Sequence, residues 1–275
     1  MKEILLSHPK LIDIAYQDMH HTRLPRCIHR HDDRVEVMLI LNGQGIYQIG
    51  GRTYAAKAGD MLVYDADTLH DETADQSTGI EILGCSIAEM QLKGLKANHL
   101  MKENACPVIR AGSYRQQIRL LMEIIHSVKD DGHTAALDQL MDNLLSSLVL
   151  FVYQSGVEND ETLNKRTFEI GMMVQKYIDE HYLEEIDIPQ IAAALKIGES
   201  YVSRTFKKTS GYSVAQYIIR RRIGEAQSWL LMSNLSVTDI AMKVGYNSVS
   251  NFHSTFRRIV GMSPQQYRKY WQQEK

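Results

Sequence analysis

The chain has 275 residues, 44% hydrophobic and 23% charged, with only five prolines and a formal net charge of −2. At roughly 100–200 residues per domain this predicts about two soluble, globular domains and excludes a largely disordered, collagen-like or strongly charged chain. The small net charge hides an asymmetry: residues 1–161 hold 15 Lys and Arg against 23 Asp and Glu, net −8, and residues 162–275 hold 16 against 10, net +6.

An acidic front and a basic back predict that the back half alone meets a polyanion. The first residues, MKEILLSHPK, carry no sustained apolar run with a cleavage site, so no secretory signal is expected. Leu144–Tyr153, interrupted by Ser146 and Ser147, is too short to cross a bilayer. Cys27, Cys85 and Cys106 are odd in number and lie far apart. That usage fits a reducing cytoplasm and offers neither a disulfide nor a zinc framework.

In chain order, residues from about 28 to 90 read as strands. VEVMLIL, GIYQIG, RTYAA, DMLVYDA and GIEILGCSI are short and β-branched or aromatic. Turn signals at Asn42-Gly43, Gly50-Gly51, Lys57-Ala58-Gly59 and Ser77-Thr78-Gly79 separate them. With no helical period between strands, an antiparallel sandwich or barrel follows.

From about Ser113 to Gln154 the period changes to helical, first through Ile118, Leu121, Met122, Ile125 and Val128. Leu137, Leu140, Met141, Leu144, Leu145 and Leu148 then continue it. Two amphipathic helices are predicted, able to pack on the sheets or to form a dimer interface. Residues 155–166, polar and aperiodic from Ser155 to Lys165, are the linker, and everything beyond is helical. The division is 1–154, 155–166 and 167–275.

The back third repeats itself. Shifted by 50 residues, Phe206–Tyr217 (FKKTSGYSVAQY) lies on Phe256–Tyr267 (FRRIVGMSPQQY). Phe, Gly, Ser, Gln and Tyr match, and the basic pairs agree in charge. Each unit reads as a helix-turn-helix. Asp187 with Gln190, and Ser236 with Asp239, cap the first helices. Gly198 and Gly245 mark the turns, and Ser248 starts the second reading helix. Ser213-x-x-Gln216 and Ser263-Pro264-x-Gln266 cap the helices that follow. The joining segment, Ser213 to Met232, is about 20 residues and so about 30 Å as a helix, against about 34 Å between successive major grooves on one DNA face.

Residues from about Thr167 to Tyr270 resemble the DNA-binding domain of AraC/XylS-family transcription regulators. IPQIAAALKIGESYVSRTFKKTSGYSVAQYIIRRRIGEA and LSVTDIAMKVGYNSVSNFHSTFRRIVGMSPQQYRK carry the resemblance. It implies that outward residues of the second helix in each unit read bases: here Ser200, Ser203 and Arg204, then Ser250, Asn251, His253 and Ser254. Arg204 suits guanine and Asn251 adenine, while Lys207, Lys208, Arg257 and Arg258 are placed to hold phosphates. The family usually has arginine where Ser254 stands and often serine where Gly198 stands, which predicts weaker base reading by the second unit.

In the front half, His29-x-His31-x4-Glu36 is followed by Asp65-x-Asp67-x2-His70. On a strand, residues i and i+2 point the same way, so both histidines can face one cavity. Three imidazoles and a carboxylate are a donor set for a divalent metal. The pattern resembles the two cupin motifs, with Asp65 and Asp67 where that family usually has proline and glycine, and many AraC-family members carry a cupin-like sensor domain.

The resemblance implies an α+β protein: an N-terminal antiparallel, cupin-like β-barrel with trailing helices, then an all-α tandem helix-turn-helix domain. The expected function is a cytoplasmic homodimeric regulator that binds double-stranded promoter DNA, with RNA polymerase as a further partner and no membrane. An effector pocket is expected from His29, His31, Glu36, Tyr47, Tyr64 and His70, with Arg26 and Arg30 near its mouth. No cofactor is expected; a divalent metal on His29, His31, Glu36 and His70 is the lesser alternative. No catalytic residue is assigned. The rival reading is a cupin metalloenzyme with an appended helical domain, and a third is a pure interaction protein with degenerate DNA helices.

Overall fold

The computed structural model describes residues 3–72, 79–103, 105–110, 112, 114–158 and 166–273. Among the described residues, nine strands form the N-terminal domain. They are β1 (Lys10–Gln17), β2 (Arg26–His29), β3 (Arg34–Asn42), β4 (Gln44–Ile49), β5 (Arg52–Lys57), β6 (Met61–Tyr64), β7 (His70–Glu72), β8 (Glu81–Ala88) and β9 (Val108–Ile109). They pair as a five-stranded sheet, β1-β8-β3-β6-β9, and a four-stranded sheet, β2-β7-β4-β5. All recorded pairings are antiparallel.

The sequence reading of a sheet-rich first domain and a helical second is therefore met, but the barrel is not closed: two open sheets face each other. Each sheet ends on edge strands, β1 and β9 in one and β2 and β5 in the other. β1 precedes the predicted strand region, and its burial is too irregular for a clean period of two.

The turns do what their glycines predict. Gly43, Gly50, Gly51, Gly59 and Gly79 hold positive φ, a backbone region that glycine enters without steric cost. Ser77 and Thr78 of the fourth predicted turn lie outside the described residues.

Helix α1 (Arg115–Val128) and helix α2 (Ala135–Glu158) follow; Ser113, taken as the onset of helical period, lies outside the described residues. Ile118, Met122 and Ile125 of α1 and Leu145, Leu148, Val149 and Val152 of α2 are buried with Ile14, Val37, Leu83 and Ile87 of the five-stranded sheet. The helices thus cap that sheet. α2 runs through Ser155 to Glu158, so the first residues of the predicted linker are helical, and 159–165 lie outside the described residues. By length and composition α2 is also apolar enough to cross a membrane, contrary to the reading of Leu144–Tyr153. Here one face of it instead packs in the N-terminal core.

The second domain is α3 (Arg166–His181), α4 (Ile188–Leu195), α5 (Glu199–Ser210), α6 (Val214–Met232), α7 (Val237–Lys243), α8 (Val249–Val260) and α9 (Pro264–Gln273). The caps are those the sequence calls for. Asp187 and Ser213 make reciprocal capping boxes with Gln190 and Gln216. The Ser236 and Ser248 side chains accept from the backbone N–H of Asp239 and Asn251. The turn at Gly198 lies between α4 and α5 as expected. The left-handed residue of the first unit is Lys196 (φ 55°), and Gly198 is an ordinary extended N-cap at φ −73°. Gly245, aligned with Lys196 by the 49-residue shift, does hold positive φ (83°).

Two apolar clusters serve the two units: Ile191, Val202, Phe206 and Tyr217 with α3 for the first, and Ile240, Phe252, Phe256 and Tyr267 for the second. α6 contributes to both. Cys27 of β2 enters the second cluster and Ile28 the first.

Candidate functional site

The two helix-turn-helix units are copies in burial as well as in sequence: residues 201–217 and 251–267 show the same succession of buried, half-buried and exposed positions. Val202, Thr205 and Phe206 turn inward in α5, as Phe252, Thr255 and Phe256 do in α8. Ser200, Arg204, Lys207 and Lys208 are therefore exposed on the first unit, and Ser250, Asn251, Ser254, Arg257 and Arg258 on the second; Ser203 and His253 are half-buried. The Arg204 Nε donates to the Ser200 carbonyl oxygen (3.2 Å) on its own helix. The Asn251 Oδ1 accepts from the Thr255 hydroxyl (3.3 Å). α6, unbroken over 19 residues, spans about 28 Å at 1.5 Å per residue.

The second candidate site lies between the two sheets. His29 ends β2 and His31 follows it; His70 stands opposite His29 across the β2–β7 pairing. Glu36 comes from the other sheet, on β3, facing Tyr64 on one side and Ser86 on the other. One donor atom from each of His29, His31, Glu36 and His70 lies within 4.8 Å of the other three. The His31 Nε2 is 3.5 Å from Glu36 Oε1, and the His70 Nε2 is 3.5 Å from Glu36 Oε2. Ser86 Oγ donates to Glu36 Oε1 (2.9 Å), and Tyr64 stacks on His70 with ring centroids 4.0 Å apart.

The imidazole tautomers follow from their partners. His29 Nδ1 is 2.9 Å from the Cys27 carbonyl oxygen and His70 Nδ1 is 2.8 Å from that of Thr68. A carbonyl only accepts, so each Nδ1 carries hydrogen, and in the neutral form of each ring the Nε2 lone pair is turned toward the cluster. The His70 Nε2 is buried without a hydrogen-bond partner.

Burial sets the charges first. It holds the His29 imidazole well below the usual histidine range and takes His31 down to about 4. Burial would raise the Glu36 carboxyl, but the neighbouring His70 and His31 hold it down to about 2. Glu36 and Glu72 in turn raise His70 against its burial. One unpartnered Nε2, on His70, and four donor atoms within 4.8 Å of one another are spaced as ligands that share a cation are: donors about 2.0–2.2 Å from one centre lie about 3–4 Å from one another. The residues present fit a divalent metal.

A cavity of about 170 Å³ opens from this cluster along Arg26, Met38 and Glu72. A second, also about 170 Å³, shares Arg26, Met38 and Glu72 and extends past Tyr47 to Tyr267 and Trp271 of α9. Tyr47 thus lines the second cavity, Tyr64 stacks on His70, and Arg30 is exposed and lines neither cavity. Asp65 accepts from the Leu100 and Met101 backbone N–H groups, so it shapes a loop. The sequence reading missed Glu72, whose Oε1 lies 3.7 Å from His29 Nε2 and 3.8 Å from His70 Nε2. Its signal was the i, i+2 spacing His70-x-Glu72, the same rule that paired His29 with His31.

The comparisons agree with both halves. The family model of the AraC-like ligand binding domain matches residues 11–161 and that of a helix-turn-helix domain matches 191–270. The HTH-type transcriptional regulator YdiP of Escherichia coli (strain K12) is 27% identical over 244 residues, 88% of this chain and 80% of that protein. The melibiose operon regulatory protein of the same organism is 37% identical over 99 residues, 36% of this chain and 33% of that one. Among solved structures, the DNA-binding domain of AdpA in complex with a target DNA is 28% identical. It covers 38% of this chain and 95% of that one, with a TM-score of 0.36. ToxT from Vibrio cholerae is 13% identical and covers 98% of this chain and 97% of that one, with a TM-score of 0.49. With residues 11–161 matched by the ligand-binding model, and a helix-turn-helix model matching 191–270 behind them, the chain belongs to the AraC family of DNA-binding transcription regulators.

Proposed function

We propose that this regulator is a cytoplasmic, one-component switch. It reads promoter DNA with α5 and α8, recognises a small ligand between the two N-terminal sheets, and does so without turning the ligand over. The observation that carries this reading is the duplication. Two units with one burial pattern expose matching polar faces, and a continuous α6 of about 28 Å joins them, close to the groove repeat of DNA. Arg204 and Asn251 are the base readers, supported by Ser200, Ser203, Ser250, His253 and Ser254. Lys207, Lys208, Arg257 and Arg258 hold phosphates.

The chain acts as a homodimer through the outer faces of α1 and α2, where Leu120, Ile124 and Leu140 are exposed. Bound at a promoter, the dimer offers four reading helices and a platform for RNA polymerase. Residues 162–275 are expected to bind fragments of the chain's own upstream region, with affinity falling steeply as salt rises because phosphate contacts release counterions. No binding to any such fragment at low salt would refute the reading.

A further inference from the structure

Among the described residues, the two helix-turn-helix units pack in separate apolar clusters that meet only through α6. The first packs on Val214, Tyr217 and Ile218 at the start of that helix, the second on Ile223, Ala226 and Leu230 further along. A shared helix fixes the distance between two bodies packed on it. It does not by itself fix how far one is rolled about the axis relative to the other, because apolar packing is non-directional. The roll matters for reading DNA. About 20° of it carries a reading helix at one packing distance, about 10 Å from the axis, through about 3.5 Å, which is about one base-pair step.

The direct bridge between the units is polar and centred on one half-buried side chain of α6, Arg222. Its Nε donates to the Tyr182 carbonyl oxygen (2.7 Å) and its Nη2 to that of Glu184 (2.8 Å). Both carbonyls belong to the connection between α3 and α4, which leads into the first unit. Its Nη1 donates to the Gly245 carbonyl oxygen (2.8 Å), in the turn of the second unit. The guanidinium also lies 5.7 Å from the centre of the Tyr246 ring beside that turn. A guanidinium presents its N–H groups in a rigid planar fork, so bonding carbonyls on two bodies at once fixes directions as well as distances.

The seam is close as well as bonded. A Cβ on Gly245, which holds φ 83°, would stand 2.8 Å from the Leu183 carbonyl oxygen and 3.2 Å from the Arg222 guanidinium. Glycine is what lets the turn of the second unit come this near the 182–185 connection. Asn247 Nδ2 donates to Glu185 Oε1 across the same seam (3.4 Å). The hydrogen-bond partners of Arg222 are neutral carbonyls, so its task here is directional bonding rather than charge pairing.

We propose that Arg222 is the positioning residue for two-groove DNA reading: by joining the α3–α4 connection to the turn of the second unit, it sets the roll of α5 and α8 about α6, and with it the separation of base pairs that the chain accepts between its two boxes. The inference rests on the regulator reading above and adds the residue that makes the pair of units a ruler rather than two readers on a swivel.

The test uses the full chain and its Arg222→Ala and Arg222→Lys variants. A preferred duplex is selected from a randomised library, and footprinting divides it into the box covered by each unit. Affinities are then measured at low salt for the two boxes at their selected separation, for the same boxes with one base pair added or removed between them, and for each box alone.

In the wild type, the one-base-pair change is expected to cost about tenfold or more, because one unit then forfeits at least one base contact. In Arg222→Ala that ratio should fall to about threefold or less, with affinity for each isolated box unchanged. Arg222→Lys keeps the charge and the aliphatic stem but offers a point in place of a fork, and it should behave as Arg222→Ala does. A residue that merely drew in phosphate would be rescued by lysine. A residue that merely held the fold would lower affinity for the isolated boxes and leave the spacing ratio as it was.

An unchanged spacing ratio in both variants, or its rescue in Arg222→Lys, overturns the proposal, and so does a wild type indifferent to spacing. If Arg222→Ala alone loses the isolated boxes, the ratio in Arg222→Lys decides; if both variants lose them, Arg222 belongs to the fold and the proposal fails. A wild type that binds no duplex in any condition would sink the regulator reading itself, and this inference with it.

Discussion

Gly224→Ala puts the contact between the domains to a test in which one substitution has opposite signs in two settings. Gly224 sits in the middle of α6 where that helix crosses β2. A Cβ added there would fall on the Ile28 carbonyl oxygen, 2.7 Å from the carbonyl carbon and 2.8 Å from the Cys27 carbonyl oxygen. Ordinary carbon–oxygen contacts are about 3.3–3.6 Å, and both obstacles are backbone, so α6 has to withdraw by about 1 Å. That stretches the two bonds from Gln227 to Cys27 N–H and the Pro25 carbonyl, at 2.9 and 2.8 Å, beyond useful range. A buried N–H left unpaired costs about 1–3 kcal/mol. With the second bond included, we expect the full chain to lose about 2–4 kcal/mol of contact between its domains. In residues 162–275 alone the obstacles are gone, and the same change replaces a glycine within a helix by the best helix former, a gain of about 0.5–1 kcal/mol. Urea unfolding followed by tryptophan emission reads both, since both tryptophans belong to the second domain. The midpoint should fall in the full chain and rise in the fragment. A rise in both would mean that α6 does not lie against β2 in solution.

Three further outcomes follow from the structure. Arg204→Ala should relax selectivity at one base position at a cost of about 1–3 kcal/mol, whereas Lys208→Ala should weaken all sequences alike; selection from a randomised site library separates the two, and equal uniform losses would refute the division of roles. Leu120→Glu with Ile124→Glu places two charges on the exposed apolar face of α1 and should convert a dimer to a monomer in sedimentation without moving the far-ultraviolet spectrum; an unchanged sedimentation coefficient would relocate the interface. Asp179, which accepts from the Tyr217 hydroxyl (3.2 Å), is pushed by burial up to about 7. The folded chain therefore holds this proton between about pH 4 and pH 7 while the unfolded chain releases it, so stability falls as pH rises through that window. Asp179→Asn should remove that slope and stabilise the chain at pH 8 relative to pH 5, by at most about 3 kcal/mol; parallel pH profiles for the two proteins would refute the assignment.

The second domain was legible because its signals are local and doubled. A cap such as Asp187 with Gln190 is written within four residues, and the 50-residue repeat aligned the outward positions of α5 and α8 before any coordinate. The turn at Gly198 stands where it was read, and its backbone shows the limit. Glycine is permitted at a left-handed position but not required there, and the chain places Lys196 in that region instead. The first domain was legible in its strands and in the convergence of His29, His31, Glu36 and His70, because strand alternation fixes which side chains share a face. Its closure was not legible. Whether strands close into a barrel or leave edges depends on pairings between distant segments, and β1 and β9 pair with β8 and β6 across 65 and more and about 45 residues.

What the sequence hid most completely is the double use of β2. RCIH reads as a half-polar strand, and Cys27 and Ile28 read as one inward and one outward residue. The register shift turns both toward the second domain, and His29 back toward the cavity. A one-residue irregularity changes which side chains share a face, so alternation from the inward His29 would have put Cys27 in the first domain's core. The consequence is functional. Because Cys27 and Ile28 lie in the cores of different helix-turn-helix units, a displacement of β2 acts on the two units at two separate points. It therefore bears on the angle between them as well as on their distance from the sheets. A rigid α6 fixes the spacing of the units along DNA, and β2 is the strand whose position can bias how the pair is presented. That separation of roles, spacing set within one domain and presentation set by the other, would let a ligand held between the sheets alter DNA affinity without touching the outward faces of α5 and α8.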